Sequence, residues 1–512
     1  MIQPTFEQAL ARRDEGTHIA VYSEMFADLK TPIALLMSIM PESVQHFLLE
    51  SVEGGEKWAR YSFLGFDPKL TVECQGKEVS IIEGGVTKQA TSGMADKNRK
   101  TSNGQDSKGL DSKGQGSAQP LEVLRNILSQ YKIVKDEALP PFAGGLVGHI
   151  SYDFIEHTEG VKLSGTDNVG FADFSLMLFE KIIAYDHFRQ KIIFIVNIKT
   201  DRLEENYNQA VLELDRLQTQ IRASIDFAPQ VMISGEFKSN LSKEQFEKNV
   251  VKAKEYIRNG DIFQVVLSQR FEAPVAGSLL NAYRVLRTSN PSPYMYFIRN
   301  NNVELAGSSP ETLVRVQNGE ISTFPIAGTR KRGASEAEDA ALEQALLADE
   351  KELAEHNMLV DLGRNDVGRV SKFGSVKVPE YMDVTKFSHV MHITSLVKGQ
   401  LQDDKDCLDA LASILPAGTL SGAPKIRACE IIDEIEGVRR GTYGGAVGYI
   451  DFSGNMDMCI TIRTVAKKDG RAFIQAGAGI VADSVPESEY FETINKAKAL
   501  MEAVERANGT IM

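Results

Sequence analysis

A chain of 512 residues with 42% apolar and 25% charged side chains has the composition of a folded globular protein, long enough for one large core or several modest ones. Its formal charge of −13 argues against a nucleic-acid-binding surface but leaves room for a local basic pocket toward an anionic ligand. Four widely spaced cysteines (Cys74, Cys407, Cys429 and Cys459) with no C-x-x-C pair argue against a disulfide framework or a zinc site. No leader pattern or membrane-length apolar run is present, so a cytoplasmic, reduced, soluble protein is expected.

The N-terminal region reads as short strands and helices interrupted at about 84–119. There Gly, Ser, Lys, Asp, Gln, Asn and Thr dominate, and aromatic residues are missing from Gly84 to Pro120. Such a stretch buries too little apolar surface to offset its ordering entropy, which predicts a mobile polar surface loop. Gly145–Tyr152 and Lys191–Ile198 read as strands. Turn signals at Asn300-Asn301, Asn318-Gly319, Ser453-Gly454 and Asp469-Gly470, each between β-prone runs, predict antiparallel hairpins. Ser242 with Gln245 announces a helix running to Gly260. Ser335 with Glu338 opens a long helix expected to carry Glu352 and Glu355. Ser484 with Glu487 opens another that carries Glu489 and Glu492 and ends near Asn508-Gly509. Hairpins plus separate helices give an α+β class, with large antiparallel sheets forming a sandwich flanked by helices.

The two acidic steps are the main chemical signal. Residues three apart share a helix face, so Glu352 with Glu355 and Glu489 with Glu492 present paired carboxylates. Two such faces turned toward one cavity suit Mg²⁺, which takes few protein carboxylates and keeps oxygens of water and an anionic substrate. Taken singly, each pair fits a solvated helix face better than a metal site. Lys496 follows Glu492 by one turn and either pairs with it or offsets a crowded acidic site. Gly477-Ala478-Gly479 after an apparent strand 471–476, and Gly444-Gly445 before another, allow close backbone approach to a carboxylate or phosphate, or mark barrel corners and bulges. Arg463 sits in an apolar run read as a strand. His389 and His392 flank Val390-Met391, and His356 points away from the Glu352–Glu355 face. Thr419-Leu-Ser-Gly-Ala-Pro-Lys425 lacks the Gly-Lys-Ser/Thr of a nucleotide loop.

Several runs, in order, resemble the chorismate-utilising enzymes over about residues 240–505: Pro325-Ile-Ala-Gly-Thr-Arg330, Glu352-Leu-Ala-Glu-His356, Asp361-Leu-Gly-Arg-Asn-Asp366, Gly418 to Lys425, Tyr443-Gly-Gly-Ala-Val-Gly448 and Gln475-Ala-Gly-Ala-Gly479. Phe47-Leu-Leu-Glu-Ser51 resembles the regulatory motif of the tryptophan-inhibited members. The resemblance implies an N-terminal regulatory region, 1–235, and a catalytic region, 236–512. It implies Mg²⁺ on Glu355 and Glu492, with Glu352 and Glu489 behind them. Chorismate oxygens would meet Gly328, Thr329, Tyr443, Arg463 and the amides of Gly477, Ala478 and Gly479. It further implies Glu311 as the general acid, and His392 as the residue of pyruvate elimination.

Gln264 stands where water-adding members carry a lysine base. A neutral amide cannot take a proton from water, whereas ammonia brings its own lone pair, so Gln264 indicates an ammonia user. Ala327 stands where other ammonia users carry an attacking lysine. With no Gly-x-Cys-x-Gly nucleophile elbow here, ammonia is expected from a separate glutamine amidotransferase chain, in an assembly of two copies of each. Ser51, Pro293, Tyr294 and Met295 match the segments that bind inhibitory L-tryptophan. The alternatives are an enzyme that stops at aminodeoxyisochorismate and a non-catalytic tryptophan-binding paralogue.

Overall fold

Two-residue turns set the architecture. Asn301-Asn302, one residue later than expected, joins Tyr294–Asn300 to Val303–Ser309, Asn318-Gly319 joins Thr312–Gln317 to Glu320–Thr323, and Asp469-Gly470 joins Thr464–Lys468 to Arg471–Ile480. Asn301, Asn318 and Asp469 hold positive φ, the twist a tight antiparallel hairpin requires. Ser453-Gly454 closes a longer loop between Ala446–Asp451 and Met456–Ile460. The computed structural model describes residues 2–51, 60–90, 119–223, 232–386 and 390–509. Among the described residues these hairpins build a 14-stranded and a 12-stranded antiparallel sheet.

Both sheets draw strands from both sides of residue 235. Gln45–Glu50 pairs with Tyr294–Asn300 in the first sheet, and Gly145–Ile150 pairs with Ala446–Asp451 in the second. The sheets meet over Phe47, Phe63, Phe142, Val147, Met177 and Tyr296, all buried. Each such side chain contributes ~1.5–3 kcal/mol relative to exposure. Helices Leu203–Arg222, Leu280–Ser289 and Pro486–Ala507 cover the outer face of the first sheet, packing Leu214, Leu286 and Leu500 onto it. Pro120–Leu128, Glu350–Gly368 and Cys407–Ile414 cover the second. Among the described residues no helix is long and apolar enough to cross a membrane.

Several local expectations change. The long helix opened by Ser335 ends at Leu347, and a second one, Glu350–Gly368, carries Glu352 and Glu355. The break is chemical: Asp349 turns its carboxylate onto the amides of Lys351 and Glu352 and so starts a new helix. The last helix starts at Pro486 with Val485 as its cap residue, while Ser484 accepts from the Val481 amide instead. The polar insertion begins later than expected, because Val86–Gln89 pairs as a strand with Glu78–Glu83. The rest of it, 91–118, and His389 lie outside the described residues. Gly477 to Gly479 lie within the strand Arg471–Ile480 rather than beyond its end.

Candidate functional site

Where the two sheets and the helices Glu350–Gly368 and Pro486–Ala507 converge, a cavity of about 660 Å³ opens. Both acidic pairs face it, Glu352 and Glu355 from one helix and Glu489 and Glu492 from the other. Burial, then the neighbouring Glu352 and Glu492, raise the pKa of Glu355. Burial, with Glu492 adding to it, raises that of Glu489. A divalent cation bound between these carboxylates would remove the cost of keeping them ionised. The donor set is all carboxylate oxygen, the hard-ligand chemistry of Mg²⁺. Part of the acidic charge is already engaged: Glu352 meets Arg330 at 3.2 Å and Glu492 meets Lys496 at 2.7 Å. Lys496 also donates to the Gly477 carbonyl at 3.0 Å, tying the helix to the glycine strand.

The glycines on that strand are needed for close approach. A Cβ at Gly477 would come within 2.7 Å of the Tyr443 hydroxyl, and one at Gly479 within 2.7 Å of Gln264 Nε2. Gly477 and Gly479 line the cavity, while alternation along the strand turns Ala478 into the apolar cluster with Phe246 and Val265. Gln264 lines the cavity as well, and its Oε1 is buried with no hydrogen-bond partner among the described residues. A buried amide oxygen left unpaired is costly, and a ligand that donates an N–H or O–H would satisfy it.

Arg463 is not in a strand. It occupies the left-handed region (φ 51°) at the bend where Met456–Ile460 of one sheet passes to Thr464–Lys468 of the other. Its guanidinium lines the cavity and, among the described residues, makes no hydrogen bond or ion pair. Burial lowers its pKa, and Tyr443 and Glu492 partly offset that. A strained backbone that presents an unpaired cation to a cavity fits an anionic substrate. His392 accompanies it: its Nδ1 lies 3.0 Å from the Gly328 carbonyl and 3.2 Å from the Thr329 hydroxyl. A carbonyl only accepts, so Nδ1 carries the proton and Nε2 is the basic nitrogen. Burial, with Arg463 nearby, lowers the pKa of this imidazole and so favours its neutral form.

Glu311 completes the wall. Burial pushes its carboxyl up to about 7, against the lowering effects of Thr419 and Lys496. Among the described residues the Thr419 hydroxyl has no hydrogen-bond partner of normal geometry, so it influences Glu311 as a nearby dipole rather than as a closed bond. A carboxylic acid that keeps its proton near neutrality is suited to protonating a departing oxygen.

A second cavity, about 360 Å³, lies between the sheets. Ser51, Pro293, Tyr294 and Met295 all line it, joined by Glu50 and Arg315. The Tyr294 hydroxyl reaches Asp457 and Thr312 at 2.8 Å each, and Arg315 pairs with Asp457 at 2.6 Å. Pro293 lines both cavities, and Thr312 is the neighbour of Glu311, so one short segment walls the two sites.

Sequence reasoning missed Thr419 and Lys351 in the first cavity, and Arg330, which pairs with the wall residue Glu352. Thr419 belongs to a run set aside for not being a nucleotide loop, and Lys351 sits inside the acidic run itself. Other conspicuous residues are structural. Lys425 is buried on Asp366 at 2.7 Å, and His356 is buried against Ser395 at 2.6 Å. Among the described residues, Cys74, His157 and Asp173 are the three whose ligand atoms all lie within 4.8 Å of one another. They form a closed hydrogen-bonded set: Asp173 takes the Gly76 amide and His157, and burial holds the Cys74 thiol protonated, up to about 12.

Residues 68–502 match the family described as chorismate binding enzyme. The chain is 48% identical over 519 residues to anthranilate synthase component 1 of Acetivibrio thermocellus, covering 99% of each. Its fold resembles the crystal structure of anthranilate synthase component I from Streptococcus pneumoniae, with a TM-score of 0.69 and 38% identity over 93% of this chain and 98% of that one. A menaquinone-specific isochorismate synthase from Escherichia coli shares the fold at 17% identity, with a TM-score of 0.68 and 98% of each chain covered.

Proposed function

The chain belongs to the chorismate binding enzyme family, and on that premise we propose that it converts chorismate and ammonia to anthranilate, pyruvate and water, the first step of tryptophan biosynthesis. The observation that carries this reading is the presence, in one cavity, of an Arg463 guanidinium and a Gln264 amide oxygen that both have no partner among the described residues. The first suits a carboxylate and the second can accept an N–H of ammonia, so together they fit an anionic ring and an ammonia nucleophile.

In this reading Arg463, Tyr443, Thr329, the Gly328 backbone and the amides of Gly477 to Gly479 receive the substrate's carboxylate and ether oxygens. Gln264 accepts one N–H of ammonia and leaves the lone pair facing ring C2. As the C2–N bond forms, the ring double bond shifts and the C4–O bond breaks, with Glu311 supplying the proton that makes the leaving group water. His392, neutral and basic at Nε2, serves the elimination of pyruvate that makes the ring aromatic. Glu355 and Glu492 would hold Mg²⁺, with Glu352 and Glu489 placed for its bound waters and Lys496 balancing their charge. The ion would supply positive charge that fixes the ring carboxylate and stabilises negative charge developing on it.

Ammonia is supplied from glutamine by a separate amidotransferase chain in the cytoplasm, two copies of each chain forming the assembly. L-Tryptophan binds the second cavity at Ser51, Pro293, Tyr294 and Met295 and inhibits by favouring a closed arrangement, a coupling that must be reciprocal with chorismate binding.

The test is to incubate the purified chain with chorismate, Mg²⁺ and ammonium and to follow anthranilate fluorescence with and without L-tryptophan. A Mg²⁺-dependent signal suppressed by tryptophan is expected. Chorismate consumption without anthranilate or pyruvate would instead identify an enzyme that stops at the amino intermediate. No turnover, even with the amidotransferase added, would sink the catalytic reading.

A further inference from the structure

We propose that Arg440, which lies behind the cavity wall without lining it, is a positioning residue that holds three separate wall segments in register. The inference rests on the anthranilate-forming reading of the cavity. Arg440 follows the helix Lys425–Glu436, whose Gly437 stop takes the left-handed conformation and turns the chain back toward the sheet. The side chain is fully enclosed and pairs with Glu436, at 2.9 Å through Nε and 2.6 Å through Nη2.

Its remaining donors leave the pair and reach two distant carbonyls. Nη1 donates to Leu420 at 2.6 Å, and Nη2 donates to Val266 at 2.7 Å. The guanidinium also stacks near the Tyr443 ring, 5.6 Å from its centroid, with Tyr152 on another side at 4.7 Å. Each contact fixes a piece of the site. Leu420 follows Thr419, the hydroxyl beside Glu311. Val266 is two residues from Gln264 and so on the same face of its strand. Tyr443 is itself a wall residue.

The network extends one step further. Glu436 accepts from the Ser268 amide at 2.7 Å and its hydroxyl at 2.9 Å, and Gln475 Nε2 donates to Ser268 Oγ at 2.8 Å. Gln475 lines the cavity, so the same buried pair also orients the glycine-bearing strand. The Arg440 guanidinium makes four hydrogen bonds with its five donors in a fixed fork, whereas an ammonium has three donors and cannot replace them all. Small displacements of groups around a reacting centre lower the rate far more than they lower binding.

The experiment compares Arg440→Lys, Ser268→Ala and the charge-free double variant Arg440→Met/Glu436→Met with wild type, measuring kcat, KM for chorismate, thermal midpoint and the pH profile. In Arg440→Lys, which keeps a charge against Glu436, kcat falls about 10- to 100-fold while KM changes less than about threefold. Its alkaline limb, set by Glu311 between Thr419 and Lys496, moves to higher pH because the lowering dipole of Thr419 is no longer held in place. Thr419→Val moves the limb the same way, and combining the two moves it no further. Ser268→Ala gives a smaller kcat loss of the same kind. The double variant shows the same kcat loss if it folds, without a buried unpaired charge.

An Arg440→Lys enzyme with wild-type kcat and an unmoved limb overturns the inference. So does a kcat loss that only follows the folded fraction, or pH shifts that add with Thr419→Val. Wild-type enzyme assayed alongside separates the two levels: an inactive wild type overturns the functional reading and this inference with it, whereas an active wild type beside an unimpaired Arg440→Lys overturns the inference alone.

Discussion

The two cavities are built on opposite principles. In the larger one, polar groups are left unfinished: Arg463 has no partner among the described residues, Gln264 Oε1 accepts nothing, and Glu311, Glu355 and Glu489 have raised pKa values from burial. In the smaller one the charges are already paired. Arg315 lies on Asp457, and Glu50 takes Arg287 at 3.0 and 3.1 Å and the Tyr283 hydroxyl at 2.6 Å. A site that must stabilise changing charge keeps its electrostatics available, whereas a site that only binds can use finished networks with aromatic walls. On the proposed function this difference would separate catalysis from regulation within one sandwich, with Pro293 lining both cavities.

The largest way to break this comparison is Glu311→Gln, which keeps the shape and removes the acid. We expect kcat to fall by about 10²–10⁴, with tryptophan affinity unchanged. The sign of the pH effect follows: with a pKa raised to about 7, Glu311 is protonated and competent below that pH and is lost as an acid when pH rises through it. The alkaline limb of kcat/KM, measured at constant free ammonia, should therefore vanish in the variant. A limb that survives would assign the proton to another group.

Removing the divalent cation tests the crowded carboxylates. Treatment with a chelator should abolish anthranilate formation, and Mg²⁺ should restore it. Isothermal titration should show Mg²⁺ binding that weakens as pH falls, because protons compete for Glu355 and Glu489. Full activity after exhaustive chelation would contradict the assignment.

Arg463→Met should raise KM for chorismate about 10- to 100-fold, the scale of a lost charge-assisted bond. Binding measured by equilibrium dialysis should weaken in parallel. Equal chorismate affinity in both proteins would remove Arg463 from the substrate contacts. On the regulatory side, Ser51→Phe should leave kcat and KM within about twofold and abolish inhibition by tryptophan. The smallest effect is expected from Tyr294→Phe, which strips the hydroxyl from Asp457 and Thr312 and costs ~1–3 kcal/mol of stability. Tryptophan inhibition should weaken with it, and an unchanged dose–response curve would detach this hydroxyl from regulation.

Much of the fold is legible locally. Asn318-Gly319 and Asp469-Gly470 announce hairpins because few residue types tolerate their left-handed backbone, and Ser242 announces its helix by capping it. The break at Asp349 is less legible, since Ser335 already opens a plausible helix and the competing cap lies within an acidic, helix-favouring run. Arg463 shows the limit most clearly. Its apolar neighbours Ile460, Ile462 and Val465 look like one strand, yet the chain changes sheets there and takes a left-handed turn.

What the sequence determined by itself is what depends on neighbours along the chain: turns, caps, the i,i+3 carboxylate pairs and the family motifs that name Glu311, Gln264 and His392. What only the tertiary structure decided is which of these meet, and which charges are left unpaired when they do. That Lys425 is consumed by Asp366 while Arg463 is not, or that Arg440 reaches Leu420 and Val266 at once, depends on packing between segments hundreds of residues apart. Local pattern carries no information about those distances, because burial and pairing are properties of the assembled sheets.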